Sequence, residues 1–329
     1  MSNQTVRIIN KAIQKRDKYN ILTFDTHERY QSQLAKTGHN FYSFAAQGAK
    51  KWNEVFAPKP SNYYTLPENT IYGGLDIDFI LSQSKFGQFQ AAQNINQVLG
   101  VPVISLEHTL PIPSWTDERL EEMRNMRGDI NVTISEYSLG AWYPFKEDTV
   151  IHHSVDTELF WSNSEVEKTT EILSVVNDFA NRDYCCNYEG WKRITKDLPV
   201  KLVGDCEGLS KAASSPKELV KEYQSAKIFL NTSTISPVPT ALIEAMACGC
   251  AVVSTATCMI PDIINNEING LISNNEDDLR ASIIRLQKDE GLRRALGKHA
   301  QQTIKLKFSE ENFLTNWNNV FDKAYGLKK

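Results

Sequence analysis

Several features are scarce or missing in this 329-residue sequence, and each absence removes a class of protein. No stretch approaches the roughly 20 apolar residues needed to cross a bilayer. Residues 1–5 lead into a mixed segment with no apolar core of a secretory signal, which predicts a cytoplasmic protein. The six cysteines (Cys185, Cys186, Cys206, Cys248, Cys250, Cys258) form no C-x-x-C pair, and no histidine stands at zinc-finger spacing from them. They read as reduced, mostly structural thiols. There is no G-x-S-x-G elbow, H-E-x-x-H, P-loop or EF-hand. No D-x-D-like metal site occurs in a suitable context, and no repeat of 20–50 residues is present. The adjacent pair His152-His153 does not suggest a metal, because neighbours on a strand point to opposite faces.

What is present is ordinary globular composition, 41% apolar and 23% charged, in a chain long enough for two domains. The net charge is -4, unevenly spread. The first 60 residues hold ten Lys/Arg against four acids, an excess of six. That face is either a solvated surface or a peripheral contact for anionic membrane or nucleic acid.

Strand and helix patterns alternate. Residues 19–24, 78–81, 101–106, 131–135 and 149–152 read as strands, and 28–37, 88–99 and 116–126 as helices. The rhythm restarts after the polar residues 162–170. Strands are expected at 171–176, 200–203, 226–231 and 251–254. Helices are expected at 187–196, 216–224, 239–247, 277–289, 291–306 and 309–325. This order implies α/β architecture with parallel sheets covered on both faces. The last helix carries Phe313, Trp317, Phe321 and Tyr325 at i, i+4 spacing, a packing stripe.

One segment carries chemistry. From Pro239 the sequence runs P-T-A-L-I-E-A-M-A-C-G-C-A-V-V-S: a loop, a helix closed by Gly249, then a buried strand. A helix N-terminus is a seat for a diphosphate, and Glu244, one turn in, suits ribose hydroxyls. The segment resembles the C-terminal hallmark of the group 1 glycosyl transferases, retaining enzymes of the GT-B fold and the glycogen-synthase-like type. Three further stretches resemble that family in the right order: V-I-H-H-S-V-D-T-E-L-F at Val150, I-P-D-I-I with N-G-L-I at Ile260 and Asn269, and the helices from Asp278 to Ala300. The likeness covers roughly residues 150–325 and reaches the first half weakly, through V-I-S-L-E-H-T ending at Thr109.

The resemblance implies two Rossmann-like domains whose parallel sheets face a central cleft: an acceptor domain over 1–156, a nucleotide-sugar donor domain over 157–308, and a helix over 309–329 crossing back to the first. It implies His108, Arg182 and Glu244 as catalytic residues. Donor contacts are expected from Asn177, Arg182, Ser236, Val238, Thr240, Ala241, Leu242 and Glu244. From their place at the carboxyl end of the first strand, His27, Glu28 and Arg29 are expected to touch the acceptor or the donor phosphate. No cofactor or metal is required; the co-substrate is a nucleoside diphosphate sugar, UDP- or GDP-linked. The sequence departs from the family in three places. Ser236 replaces the first of two glutamates separated by seven residues, and Pro237 and Pro239 each remove an N–H donor from the loop that faces the sugar. Asn177 replaces the arginine of a basic pair whose second member is Arg182. The Gly-rich loop after the first strand is replaced by D-T-H-E-R-Y from Asp25. Two residues keep plain structural alternatives: Arg182 as a surface partner of Asp178 or Asp183, and His108 as a buried core histidine.

The expected function is transfer of a sugar to a hydroxyl of a glycan or lipid-linked sugar, probed by two alternatives. One is the same transfer onto a modified base of phage DNA, which requires reaching or flipping that base. The other is a catalytically inert protein that binds sugar nucleotides or glycans, a reading fed by Ser236 and the prolines.

Overall fold

The computed structural model describes residues 18–46, 49–145, 147–163 and 166–328. Four of the ten basic residues counted above (Arg7, Lys11, Lys15 and Arg16) lie outside the described residues.

The first sheet holds β1 (Asn20–Thr23), β2 (Asn40–Ser43), β3 (Tyr63–Thr65), β4 (Phe79–Ser82), β5 (Val103–Glu107), β6 (Ile130–Thr133) and β7 (Thr149–Val150). Their order is β3-β2-β1-β4-β5-β6-β7, every pairing parallel. All positions of β4 and β5 are buried, as expected for strands with helices on both faces. The connecting helices start and stop on local signals. Gly100 ends Gln88–Leu99 at φ 61°, and the Thr116 side chain accepts the Arg119 N–H to begin Asp117–Asn125.

The second sheet holds β8 (Thr170–Val175), β9 (Val200–Val203), β10 (Ala226–Asn231), β11 (Ala251–Ser254) and β12 (Leu271–Ile272), in the order β12-β11-β10-β8-β9 and again parallel. Gly204, just past β9, is required by close approach: a Cβ there would stand 1.7 Å from the Val176 carbonyl oxygen. Helix Pro216–Ser225 is capped by Ser215 and opens on its proline.

Two segments tie the halves together. The outgoing one, near Val155, hydrogen-bonds the returning one through Val155 N–H to Phe308 C=O, 3.1 Å. Helix Glu310–Leu327 then buries Phe313, Trp317 and Phe321 against the first sheet and its helix Glu28–Ala35. Trp317 Nε1 donates to Tyr30 Oη at 2.9 Å, and Tyr19 Oη donates to Asp322 at 2.7 Å. The aromatic stripe is packing.

The expected strands and helices occur with shifts of a few residues. The sequence reading did not resolve β2, β3, β12 or the short helices Glu136–Ala141, Asp183–Cys186 and Ile260–Ile263. These elements are two to six residues long, too brief for a period to register, and β2 and β3 mix aromatics with polar residues.

In each sheet the order reverses once, between β1 and β4 and between β8 and β10. Open α/β sheets bind ligands outside the carboxyl ends of strands at such points. Here both reversals open onto one cleft of about 770 Å³.

Candidate active site

The wall from the second sheet begins where β8 ends. Asn177 lines the cleft, but its Oδ1 already accepts the Asp205 N–H at 2.9 Å, so the amide nitrogen is the group left to donate. Arg182 follows at the head of helix Asp183–Cys186. Neither Asp178 nor Asp183 forms an ion pair with it among the described residues, so its charge faces the cleft uncancelled by those neighbours.

Helix Thr240–Ala247 points its N-terminus at the same space. Pro239 precedes it and no side chain caps it. The N–H groups of Leu242 and Ile243 both turn back to Pro239 C=O, which leaves those of Thr240 and Ala241 for a ligand at the positive end of the helix. Thr240, Ala241, Ser236 and Val238 all line the cleft. Leu242 does not: its side chain is fully buried in the core and its N–H is spent on Pro239, so it has no group to offer a donor.

Glu244 lies one turn deeper, 3% exposed. Arg29 Nη1, from the opposite wall, pairs with Oε1, and Tyr223 Oη donates to Oε2 at 2.9 Å. Burial and the carboxylate raise the Tyr223 pKa well above the usual phenol range, so it stays a donor. A carboxylate offers about four lone-pair sites. Arg29 and Tyr223 occupy two, and Glu244 retains capacity for further hydroxyl donors. Arg29 also stacks over Phe160 at 5.7 Å, so its guanidinium is a bridge between the halves of the molecule.

The wall from the first sheet is different. His27 follows β1 and His108 follows β5, their rings 4.3 Å apart. His153, on the outgoing segment, lies 5.9 Å from His108. Tyr30 touches both, edge-on, at 4.7 and 5.0 Å. Surrounding protein and the Lys50 charge pull His27 down to about 4. Burial takes His153 to about 3 and His108 well below its ordinary value, each also opposed by a neighbouring histidine. The trio is therefore neutral at physiological pH. His152, by contrast, turns away and meets Glu136 Oε2 at 2.7 Å.

Glu28, expected to touch an acceptor, lines the cleft and also braces it. Its buried carboxylate accepts from Lys50 Nζ at 2.9 Å and Asn53 N–H at 3.2 Å, pinning the 50–53 loop. Sequence reasoning missed Tyr223 and Tyr30 as site residues, and took His153 as half of a dismissed metal pair and as part of the V-I-H-H-S-V-D stretch. Nothing in the local sequence of the two tyrosines signals a role; the fold brings Tyr30 to the cleft and sets Tyr223 behind it, on Glu244.

Two Rossmann-like sheets facing a common cleft define a GT-B protein. The comparisons agree. The family described as glycosyl transferases group 1 matches residues 211–303. Over 182 residues the chain is 26% identical to the N,N'-diacetylbacillosaminyl-diphospho-undecaprenol alpha-1,3-N-acetylgalactosaminyltransferase of Campylobacter jejuni, covering 51% of this chain and 48% of that protein. The chain thus aligns with about half the length of that relative. Among solved structures, sucrose-phosphate synthase from Thermosynechococcus elongatus superposes with a TM-score of 0.72 at 14% identity, over 94% of this chain and all of that one. Anabaena HepE in complex with UDP also gives 0.72 at 14% identity, over 93% of this chain and 100% of its own. At that identity the likeness is one of fold. Within the GT-B fold, residues 211–303 match the group 1 glycosyl transferases.

Proposed function

We propose that the protein is a hexosyl- or pentosyltransferase that moves a sugar from a UDP- or GDP-sugar to a hydroxyl of a glycan or lipid-linked sugar, with retention at the anomeric carbon. One observation carries this reading. Arg182, the open N-terminus of helix Thr240–Ala247 and Glu244 line one cleft at the reversal point of the second sheet. A cation and two free N–H groups suit a diphosphate, and a carboxylate beyond them suits a ribose.

The chemistry follows from placement. As the bond from sugar to diphosphate breaks, negative charge grows on the leaving oxygen. Arg182 and the N–H groups of Thr240 and Ala241 are aimed where that charge develops, the usual source of electrostatic stabilisation. Glu244 positions the nucleoside. Across the cleft, neutral His108 and His27 exchange hydrogen bonds with sugar hydroxyls without adding charge. Ser236 and the prolines offer fewer donors to the sugar than the family's usual loop, so sugar recognition shifts toward the histidine wall. The named substrate of the Campylobacter relative, a sugar on diphospho-undecaprenol, supports a lipid-linked acceptor. HepE, solved with UDP and with UDP-glucose, supports a uridine donor.

The test is a panel of UDP-, GDP-, ADP-, CMP- and dTDP-sugars, followed by melting temperature and by release of nucleoside diphosphate, in wild type, Glu244→Ala and Glu244→Gln. One sugar nucleotide should stabilise and be turned over by wild type alone. Transfer to undecaprenyl-diphosphate sugars, with product configuration read by NMR, then tests acceptor and retention. If no sugar nucleotide binds wild type, the transferase reading fails.

A further inference from the structure

Three cysteines gather behind the donor wall. Cys185, Cys186 and Cys206 pack with Phe179 in one small cluster, and the first two line the cleft beside Arg182. Cys185 Sγ and Cys186 Sγ are in contact at 3.7 Å. Their backbone is a junction. The Cys185 carbonyl accepts from Thr234 N–H at 2.9 Å and Ile235 N–H at 3.2 Å, and the Cys186 carbonyl accepts from Thr232 Oγ1 at 2.9 Å. Those donors belong to the loop that runs on to Ser236 and Pro239. On the other side, the Arg182 carbonyl accepts from the N–H groups of both cysteines. The pair therefore sits between the cation of the donor wall and its loop.

We infer that Cys185 and Cys186 are a thiol-modification site of the donor cleft, a vicinal dithiol that reacts with small disulfides, Cys185 attacking and Cys186 resolving. Geometry gives the pair: Cys185 Sγ lies 3.5 Å from the Arg182 carbonyl oxygen, and Cys186 Sγ is in contact with Cys185 Sγ at 3.7 Å. The electrostatics agree: hydrogen bonding from Cys186, helped by Arg182, draws Cys185 down to about 6, whereas burial pushes Cys248, Cys250 and Cys258 up. The thiolate is the nucleophile, so Cys185 is the selective target among these four.

The reaction balances with glutathione disulfide as oxidant. The Cys185 thiolate attacks one sulfur, the glutathione S–S bond breaks, and one glutathione leaves as thiolate. Cys186 loses its proton to solvent and attacks the Cys185 sulfur of the mixed disulfide, and the second glutathione leaves. Two protein thiols are oxidised and one disulfide is reduced to two thiols. Closure must also move the junction. Adjacent Cα atoms across a trans peptide lie about 3.8 Å apart, below the roughly 4.4–6.8 Å that relaxed disulfides span. The 185–186 peptide therefore shifts, and the hydrogen bonds to Thr234 and Ile235 shift with it. The product is readily reduced again, as a reversible mark requires.

The experiment uses the full-length reduced protein, exposed to glutathione disulfide, quenched in acid and digested with trypsin. Cleavage after Arg182 and Lys192 places both cysteines in one peptide and Cys206 in another. The expected result is a 183–192 peptide lighter by two hydrogens, restored by dithiothreitol. Cys186→Ser should instead trap a glutathione adduct on Cys185. Native alkylation with iodoacetamide at pH 7 should label Cys185 more than about tenfold faster than Cys248, Cys250 or Cys258. An unmodified wild-type peptide, a cross-link to the Cys206 peptide, or a glutathione adduct that persists on wild type would each overturn the inference. The readout is mass alone and does not depend on which donor the enzyme takes.

Discussion

On the wall formed by the first sheet, the rings that reach the cleft are those of His27, His108, His153 and Tyr30; the wall formed by the second presents Arg182, an uncapped helix N-terminus and Glu244. Both walls sit at the carboxyl ends of parallel strands and both flank a reversal in strand order. The backbone framework is shared, and the chemistry is not. The three imidazoles of one wall are neutral because burial disfavours their charged forms, with Lys50 also opposing His27 and neighbouring histidines opposing His108 and His153. The other keeps a cation whose nearest acids leave it alone. On the proposed function, a fold that repeats its architecture divides a ligand between a side for polyol and a side for phosphate. Arg29 paired with Glu244 is where the two sides touch.

The strongest way to break this division is to undermine the neutral wall from behind. Trp317 supports Tyr30, on which His108 and His153 rest. Trp317→Ala should cost about 3–5 kcal/mol of stability by thermal or urea denaturation. Below its lowered melting temperature the variant should show a raised acceptor KM and unchanged affinity for nucleoside diphosphate. A parallel loss of nucleotide affinity would mean that the walls are not separable.

The next effect sharpens the phosphate side. Arg182→Met should remove a charge-assisted contact of about 1.5–3 kcal/mol, a roughly 10- to 150-fold loss in nucleoside diphosphate affinity by calorimetry. It should also flatten the dependence of binding on salt. His27→Ala should leave both unchanged.

The smallest effect is in pH. The histidines have folded pKa values below the unfolded value of about 6.5. Between there and about pH 4 the unfolded chain takes up protons that the folded wall refuses, so stability falls as pH falls through that window. His153→Phe should reduce the slope of melting temperature against pH in that range relative to wild type. Equal slopes would show that His153 titrates normally.

Much of the fold was legible because each half alternates strand and helix patterns, and because fully buried parallel strands read as apolar runs. The donor helix was legible because its proline, glutamate and closing glycine are contiguous in sequence. The partners of Glu244 were not: Arg29 stands 215 residues away and Tyr223 stands 21 away, on another helix. Glu28 was assigned to an acceptor because it follows β1, yet the same position lets it pin the 50–53 loop. Leu242 was swept in with its neighbours, although helical geometry turns it to the core. Sequence pattern located the walls, and only the packing showed which side chains face the space between them.

The most direct test of the divided cleft is calorimetric titration of the nucleoside diphosphates, without sugar, into wild type, Arg182→Met and His108→Ala. The account predicts that one diphosphate binds wild type, binds His108→Ala as well, and binds Arg182→Met at least about tenfold more weakly. Equal losses in the two variants, or no binding to wild type, would contradict it.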